Sequence, residues 1–95
     1  MFIRIAEVTL LPDIADEARR IYAEQAAPQV GRVAGNVGCY MLEPLDAGSP
    51  HLACTVWDSE DSARAYEASG AAKEIAGLIR HAFAGPPRLR SYRKA

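Results

Sequence analysis

Apolar positions recur along the chain with two periods, and their order predicts the elements. Phe2 to Leu11 reads as a strand, stopped by the turn-forming Pro12-Asp13. Ile14, Ala18, Ile21, Tyr22, Ala26, Val30 and Val33 then follow at the three- and four-residue steps of one helix face. Pro28 lies inside that run and predicts a kink or break, because proline has no N–H to give a helix. Gly35 and Gly38 end it, with Asn36 between them suited to a left-handed conformation. "CYMLEP" is a short second strand, "LDAGSP" a turn, and "HLACTVW" a third strand that closes a hairpin with the second. Ser59 is placed to cap the next helix, with Glu60 and Asp61 complementing its dipole. That helix is expected to break at Gly70 and resume. Ala72, Ile75, Ala76, Ile79, Ala82 and Phe83 then form one apolar stripe. "AGPP" ends it and "RLRSYR" is the fourth strand.

The order is β-α-β-β-α-β, over a chain expected to form one domain, residues 1–95. Right-handed crossovers give an α+β, ferredoxin-like fold, an antiparallel four-stranded sheet with two helices on one face. A sheet with helices on one side and water on the other should alternate apolar and polar residues. These strands do not. Phe2, Ala6, Val8 and Leu10 fall on one side of the first, Ile3, Ile5 and Leu11 on the other. In the third, Leu52, Cys54 and Val56 oppose Ala53, Thr55 and Trp57. Two helices cover one face, so the other predicts a homodimer packed sheet to sheet.

Composition narrows the function classes. At 95 residues the chain buries only about 60–65% of its unfolded surface, which favours a partner subunit. A net charge of −1 gives no electrostatic case for nucleic acid or an anionic membrane. The basic tail, Arg88, Arg90, Arg93 and Lys94, reads as a solvated edge strand or as an anion-binding strip. The start "MFIRIAEVTLL" is interrupted by Arg4 and Glu7, unlike a signal peptide, and no apolar run could span a membrane, so a cytoplasmic location with reduced thiols is expected.

The side chains that could do chemistry are few. Trp57 offers a flat face and one N–H donor where a strand meets a helix start, or it is simply core. Tyr66 and Tyr40 carry hydroxyls, His81 lies near a helix end, and His51 at a turn is expected to face solvent. Cys39 and Cys54 read as small buried hydrophobes. Two histidines and two cysteines on different elements show no metal-ligand spacing, and no glycine pattern forms a phosphate loop.

"GC" opening the second strand, "WDSEDSA" at the exit of the third and "GPP" before the fourth make the whole chain resemble the antibiotic biosynthesis monooxygenase family. The resemblance implies a dimeric α/β barrel and a cofactor-independent monooxygenase-like enzyme for a small aromatic or quinol substrate. The alternative is a non-catalytic barrel that binds a small hydrophobic ligand. In the haem-degrading branch an asparagine, a tryptophan and a histidine work where this chain has Ala6, Tyr66 and Ala76. Without that imidazole the usual axial ligand is lost, so haem is not expected; resemblance to the cofactor-independent oxygenases implies no other cofactor. In the polyketide-quinol branch the tryptophan matches Trp57, while its asparagine and tyrosine partners fall at Ala53 and Ala63, with Tyr66 one turn further on. The resemblance implies Trp57 and, as the nearby hydroxyl, Tyr66 as catalytic candidates, and His81 joins them from its own place near a helix end. Tyr40, Ala53, Ala63 and Ile79 would line the substrate pocket between sheet and helices.

Overall fold

The computed structural model describes residues 1–95. Its four strands, β1 (Phe2–Val8), β2 (Asn36–Leu42), β3 (His51–Trp57) and β4 (Arg88–Arg93), form one antiparallel sheet in the order β2-β3-β1-β4. Ile5 lies opposite Cys54 on one side and Arg90 on the other. This is the ferredoxin-like arrangement, with the two crossovers on one face.

The first crossover is helical almost throughout. A 3-10 turn (Pro12–Ile14) leads into α1 (Ala15–Ile21), a π-helical turn (Tyr22–Ala26) and α2 (Ala27–Gly31). The kink or break expected at Pro28 takes the form of this π turn, and Pro28 falls in the first turn of α2. Proline cannot donate, and its ring clashes with the carbonyl four residues back. The wider π turn just upstream, in which Ala27 N–H reaches the Tyr22 carbonyl, carries the chain past it. Gly35, at φ 85°, takes the left-handed position after the helix. Asn36 does not. It opens β2, and its side-chain amide donates to the carbonyls of Gly38 and Val56 at 3.2 Å.

In the second crossover Ser59 caps α3 (Glu60–Ala68), its hydroxyl accepting from Ser62 N–H at 3.2 Å. Gly70, at φ 85°, turns the chain, and α4 (Ala71–Ala76) resumes as expected. The stripe projected to Phe83 is helical only to Ala76. Beyond it, Leu11 N–H bonds the Ala82 carbonyl and Ala84 N–H the Thr9 carbonyl, both at 2.8 Å. These bonds pull residues 82–84 into pairing with the end of the first strand, leaving a 3-10 turn (Arg80–Ala82) between.

Two buried clusters hold the helices to the sheet. Val8, Leu10, Ala18, Tyr22, Ala26, Ile79 and Ala82 form one, and Val30, Trp57, Ala63 and Tyr66 the other. The opposite sheet face carries Ile3, Ile5, Leu52, Cys54 and Val56 without a covering layer, flanked by the exposed Tyr40, Leu42 and Tyr92. No helix is long and apolar enough to cross a membrane.

Candidate functional site

Between the clusters the helices stand away from the sheet and leave a cleft. Its floor is Ala6 on β1, Ala53 on β3 and Leu89 on β4, and its roof is Ala72, Ile75 and Ala76. The inner part holds about 300 Å³, reaches Ile79 and Phe83, and has Lys73 as its one charged lining residue. The outer part holds about 270 Å³ and adds Thr55, Tyr66, Arg4 and Glu67. Sequence accounts for the space: alanines stand at facing positions of floor and roof, and small side chains cannot meet across a layer of this thickness. The volume falls at the lower end of the range for small-molecule sites.

Two phenols face this space. Tyr22 lines both parts, and its hydroxyl lies 3.1 Å from Cys39 Sγ. Burial, then the bond to Cys39, raises its pKa far above the ordinary 10. Tyr66 lines the outer part and its hydroxyl makes no hydrogen bond within the chain. Its pKa is pushed up to about 12, first by burial and then by the charges of Cys39 and Glu67. Both phenols are therefore neutral near pH 7: they can donate a hydrogen bond and do not act as bases. Burial likewise raises both thiols, Cys39 on the helix side of the sheet and Cys54 on the open side.

Arg4 spans the mouth. Its Nε donates to Glu67 Oε1 at 2.8 Å, Nη2 lies 2.6 Å from the same oxygen, and Nη1 donates to Ser91 Oγ. It stands in the helix-facing row of β1 between Phe2 and Ala6, a charged residue in an otherwise apolar row.

The structure brings only part of the sequence-derived candidate set into this cleft. Ala53 lies in the floor, Ile79 at the inner end and Tyr66 in the outer wall. Trp57 does not line the space. It is 1% exposed, its ring stacks behind Tyr66, and its Nε1 donates to Thr55 Oγ1 at 2.9 Å. Being last in β3, it lies under α3, where the helix packs hard on the sheet. Ala63, also 1% exposed, belongs to the same buried cluster. Tyr40 lies on the uncovered sheet face, because side chains alternate along β2 and its neighbour Cys39 takes the helix side. His81 is exposed on the 3-10 turn, away from the cleft, since the helix that would have carried it ends at Ala76. His51 faces inward instead of outward. It is 9% exposed, with Nε2 3.0 Å from Arg19 Nη1, and burial, then the Arg19 charge, lowers its pKa.

Arg4, Glu67 and Tyr22 were not among the sequence-derived candidates. The break in the alternating apolar row of β1 was the available signal for Arg4. Nothing local marks Tyr22, whose position depends on the π turn.

The cleft does not fit haem. Its lining offers no imidazole and no sulfur ligand facing the centre, and small apolar residues stand at Ala6 and Ala76. No group of three or more histidine, cysteine or acidic side chains could hold a metal ion.

A four-stranded antiparallel sheet with a cleft beneath two helical crossovers defines the ferredoxin-like class of small α+β proteins. Residues 1–78 match the family described as Antibiotic biosynthesis monooxygenase, and the chain belongs to that family. Among solved structures it is similar to "Putative antibiotic biosynthesis monooxygenase from BORDETELLA BRONCHISEPTICA", with TM-score 0.82, 21% identity, and 99% of this chain and 96% of that chain covered. It is also similar to the heme-degrader MhuD from Mycobacterium tuberculosis, with TM-score 0.81, 19% identity, and coverage of 99% and 95%. A conserved protein from Methanosarcina mazei Go1 gives TM-score 0.82, 17% identity, and coverage of 99% and 92%. At these identities the likeness is one of fold. No curated protein matches the chain in sequence.

Proposed function

We propose that the chain is a cofactor-independent monooxygenase for a small phenol or quinol, bound in the cleft between sheet and helices. The observation that carries this reading is Tyr66: a neutral phenol on the cleft wall, with its hydroxyl free of any partner in the chain. In cofactor-free oxygenation the substrate itself reduces oxygen. A ring C–H becomes C=O while the phenol becomes its quinone carbonyl. One atom of O2 enters the product and the other leaves as water. The chain's part is to hold the ring among alanine and isoleucine side chains, keep bulk water out, and donate a hydrogen bond to the substrate oxygen where negative charge builds. Tyr66 is the donor in this reading, with Trp57 fixing its ring from behind. His81 and Tyr40 have no part in it.

A second copy of the chain completes the fold in this proposal, packed on the bare sheet face. Ile3, Ile5 and Leu52, beside the exposed Tyr40, Leu42 and Tyr92, form an apolar surface of the kind soluble monomers rarely leave open, with Cys54 and Val56 already buried among them.

A non-catalytic ligand carrier is the second reading, favoured by one feature. Neither cleft phenol is a base, and Ala6, Ala53 and Ala76 contribute no polar group. Oxygen consumption by the purified protein with a panel of hydroquinones and polycyclic phenols decides between them. Turnover that falls sharply in Tyr66→Phe supports the oxygenase. Saturable binding with no oxygen uptake across the panel supports the carrier.

A further inference from the structure

The helix-facing row of β1 is Phe2, Arg4, Ala6 and Val8, and Arg4 is the anomaly. β1 lies between β3 and β4, and a charge beneath a helical layer is costly unless it is paired. Glu67 on α3 and Ser91 on β4 supply partners. They accept two hydrogen bonds, from Nε and Nη1, with Nη2 in ion-pair contact with the same Glu67 oxygen, so N–H donors of the guanidinium remain for something else. Arg4 is also one of the residues that line the outer cleft, with its side chain only 25% exposed. Lys73 on α4 adds a second cation to the lining. Two positive groups against the single carboxylate of Glu67 leave an excess of one positive charge beside an otherwise apolar space.

We propose that the occupant of the cleft is a flat apolar acid, its ring system between Ala6, Ala53 and Ile75 and its carboxylate at the mouth on Arg4. This rests on the cleft being the substrate site and adds to it the charge and orientation of the substrate. The guanidinium fork matches a carboxylate in geometry as well as charge, and partial burial shields the pair from solvent. Glu67 holds Arg4 across the mouth and competes with the incoming anion for it. With the acid bound at Arg4, the far end of a two- or three-ring body reaches inward past Tyr66 towards Ile79.

The test uses calorimetric titration of the purified protein with a naphthoate and with the matching naphthamide, which has the same shape without the charge. The naphthoate should bind about tenfold more tightly, in line with a hydrogen bond to a charged group. Arg4→Met should bring the two affinities within about twofold of each other, and Arg4→Lys should keep part of the difference. Glu67→Gln should tighten naphthoate binding and leave naphthamide binding unchanged, which a merely structural Arg4–Glu67 pair would not do. Should Arg4→Met fail to fold, Arg4→Lys and Glu67→Gln decide the question. Equal affinities for the two probes in the unaltered protein, or a preference that survives Arg4→Met, would overturn the inference while leaving the cleft as a site for neutral rings. Binding of neither probe would overturn both.

Discussion

The Trp57 indole and the Tyr66 ring lie with centroids 5.0 Å apart and planes tilted by 34°. One ring is sealed in the core and the other borders the cleft, so the pair transmits the rigidity of the sheet to the cleft wall. Trp57→Phe should cost about 1–2 kcal/mol, from the smaller volume and the lost bond to Thr55. Chemical denaturation reads the cost directly. A ligand should still bind to this variant, with weaker affinity only to the extent that Tyr66 gains freedom.

Tyr66→Phe should do the reverse. Its hydroxyl bonds nothing in the chain, so stability should move by less than about 0.5 kcal/mol. Turnover of a phenol substrate should fall about a hundredfold, the usual cost of removing a donor to a developing oxyanion. Equal turnover in the two proteins would remove Tyr66 from the reaction.

His51 predicts a pH dependence. Its folded pKa lies below its ordinary value of 6.5, so the unfolded chain binds the proton more readily. Above about pH 6.5 the residue is neutral in both states and contributes no slope. As pH falls through the unfolded value towards the lower folded one, stability should decline. The charges facing the ring are Arg19 and Glu43, with Asp16 beyond Arg19. His51→Asn should flatten this part of the stability profile, measured by denaturant midpoints at successive pH values.

The bare sheet face predicts assembly. Sedimentation at micromolar concentration should report about twice 10.3 kDa. Ile5→Glu places a charge in the middle of that face and should yield a folded monomer. A wild-type monomer at the same concentration would contradict the proposed pairing.

Gly35 predicts an intolerant site. It combines φ 85° with the close approach of Ser62 and Asp58, whose side chains would meet any Cβ there. Gly35→Ala should destabilise by about 3 kcal/mol, part left-handed strain and part overpacking. A thermal melt checks it.

Much of this architecture was legible in the sequence, because alternation and helical spacing report burial directly. The strands on both sides of "LDAGSP", the Ser59 cap and the Gly70 break all follow from local chemistry. What local pattern could not supply was the effect of one segment on another. Pro28 signals that the helix is interrupted, but not that the interruption takes the form of a π turn over Tyr22–Ala26. The loss of helix after Ala76 is set by the backbone bonds from residues 82–84 to Thr9 and Leu11. The site suffered most from this. Ala53, Ile79 and Tyr66 reach the cleft, yet Trp57 and Ala63 sit one layer behind it, a distinction of depth that strand alternation does not encode. His81 lies beyond the end of α4 at Ala76, on the 3-10 turn that replaces the projected helix.

Gly70 divides the cleft roof between two structural units of different strength. α3 is anchored by the buried Ala63 and Tyr66, whereas α4 has no fully buried residue. The free energy needed to lift residues 71–76 should therefore be a fraction of that for global unfolding. Amide exchange there should be faster than in β1 or β3, and slowed when the cleft is filled. Brief excursions of that one helical segment would widen the way into the cleft while the sheet stays intact.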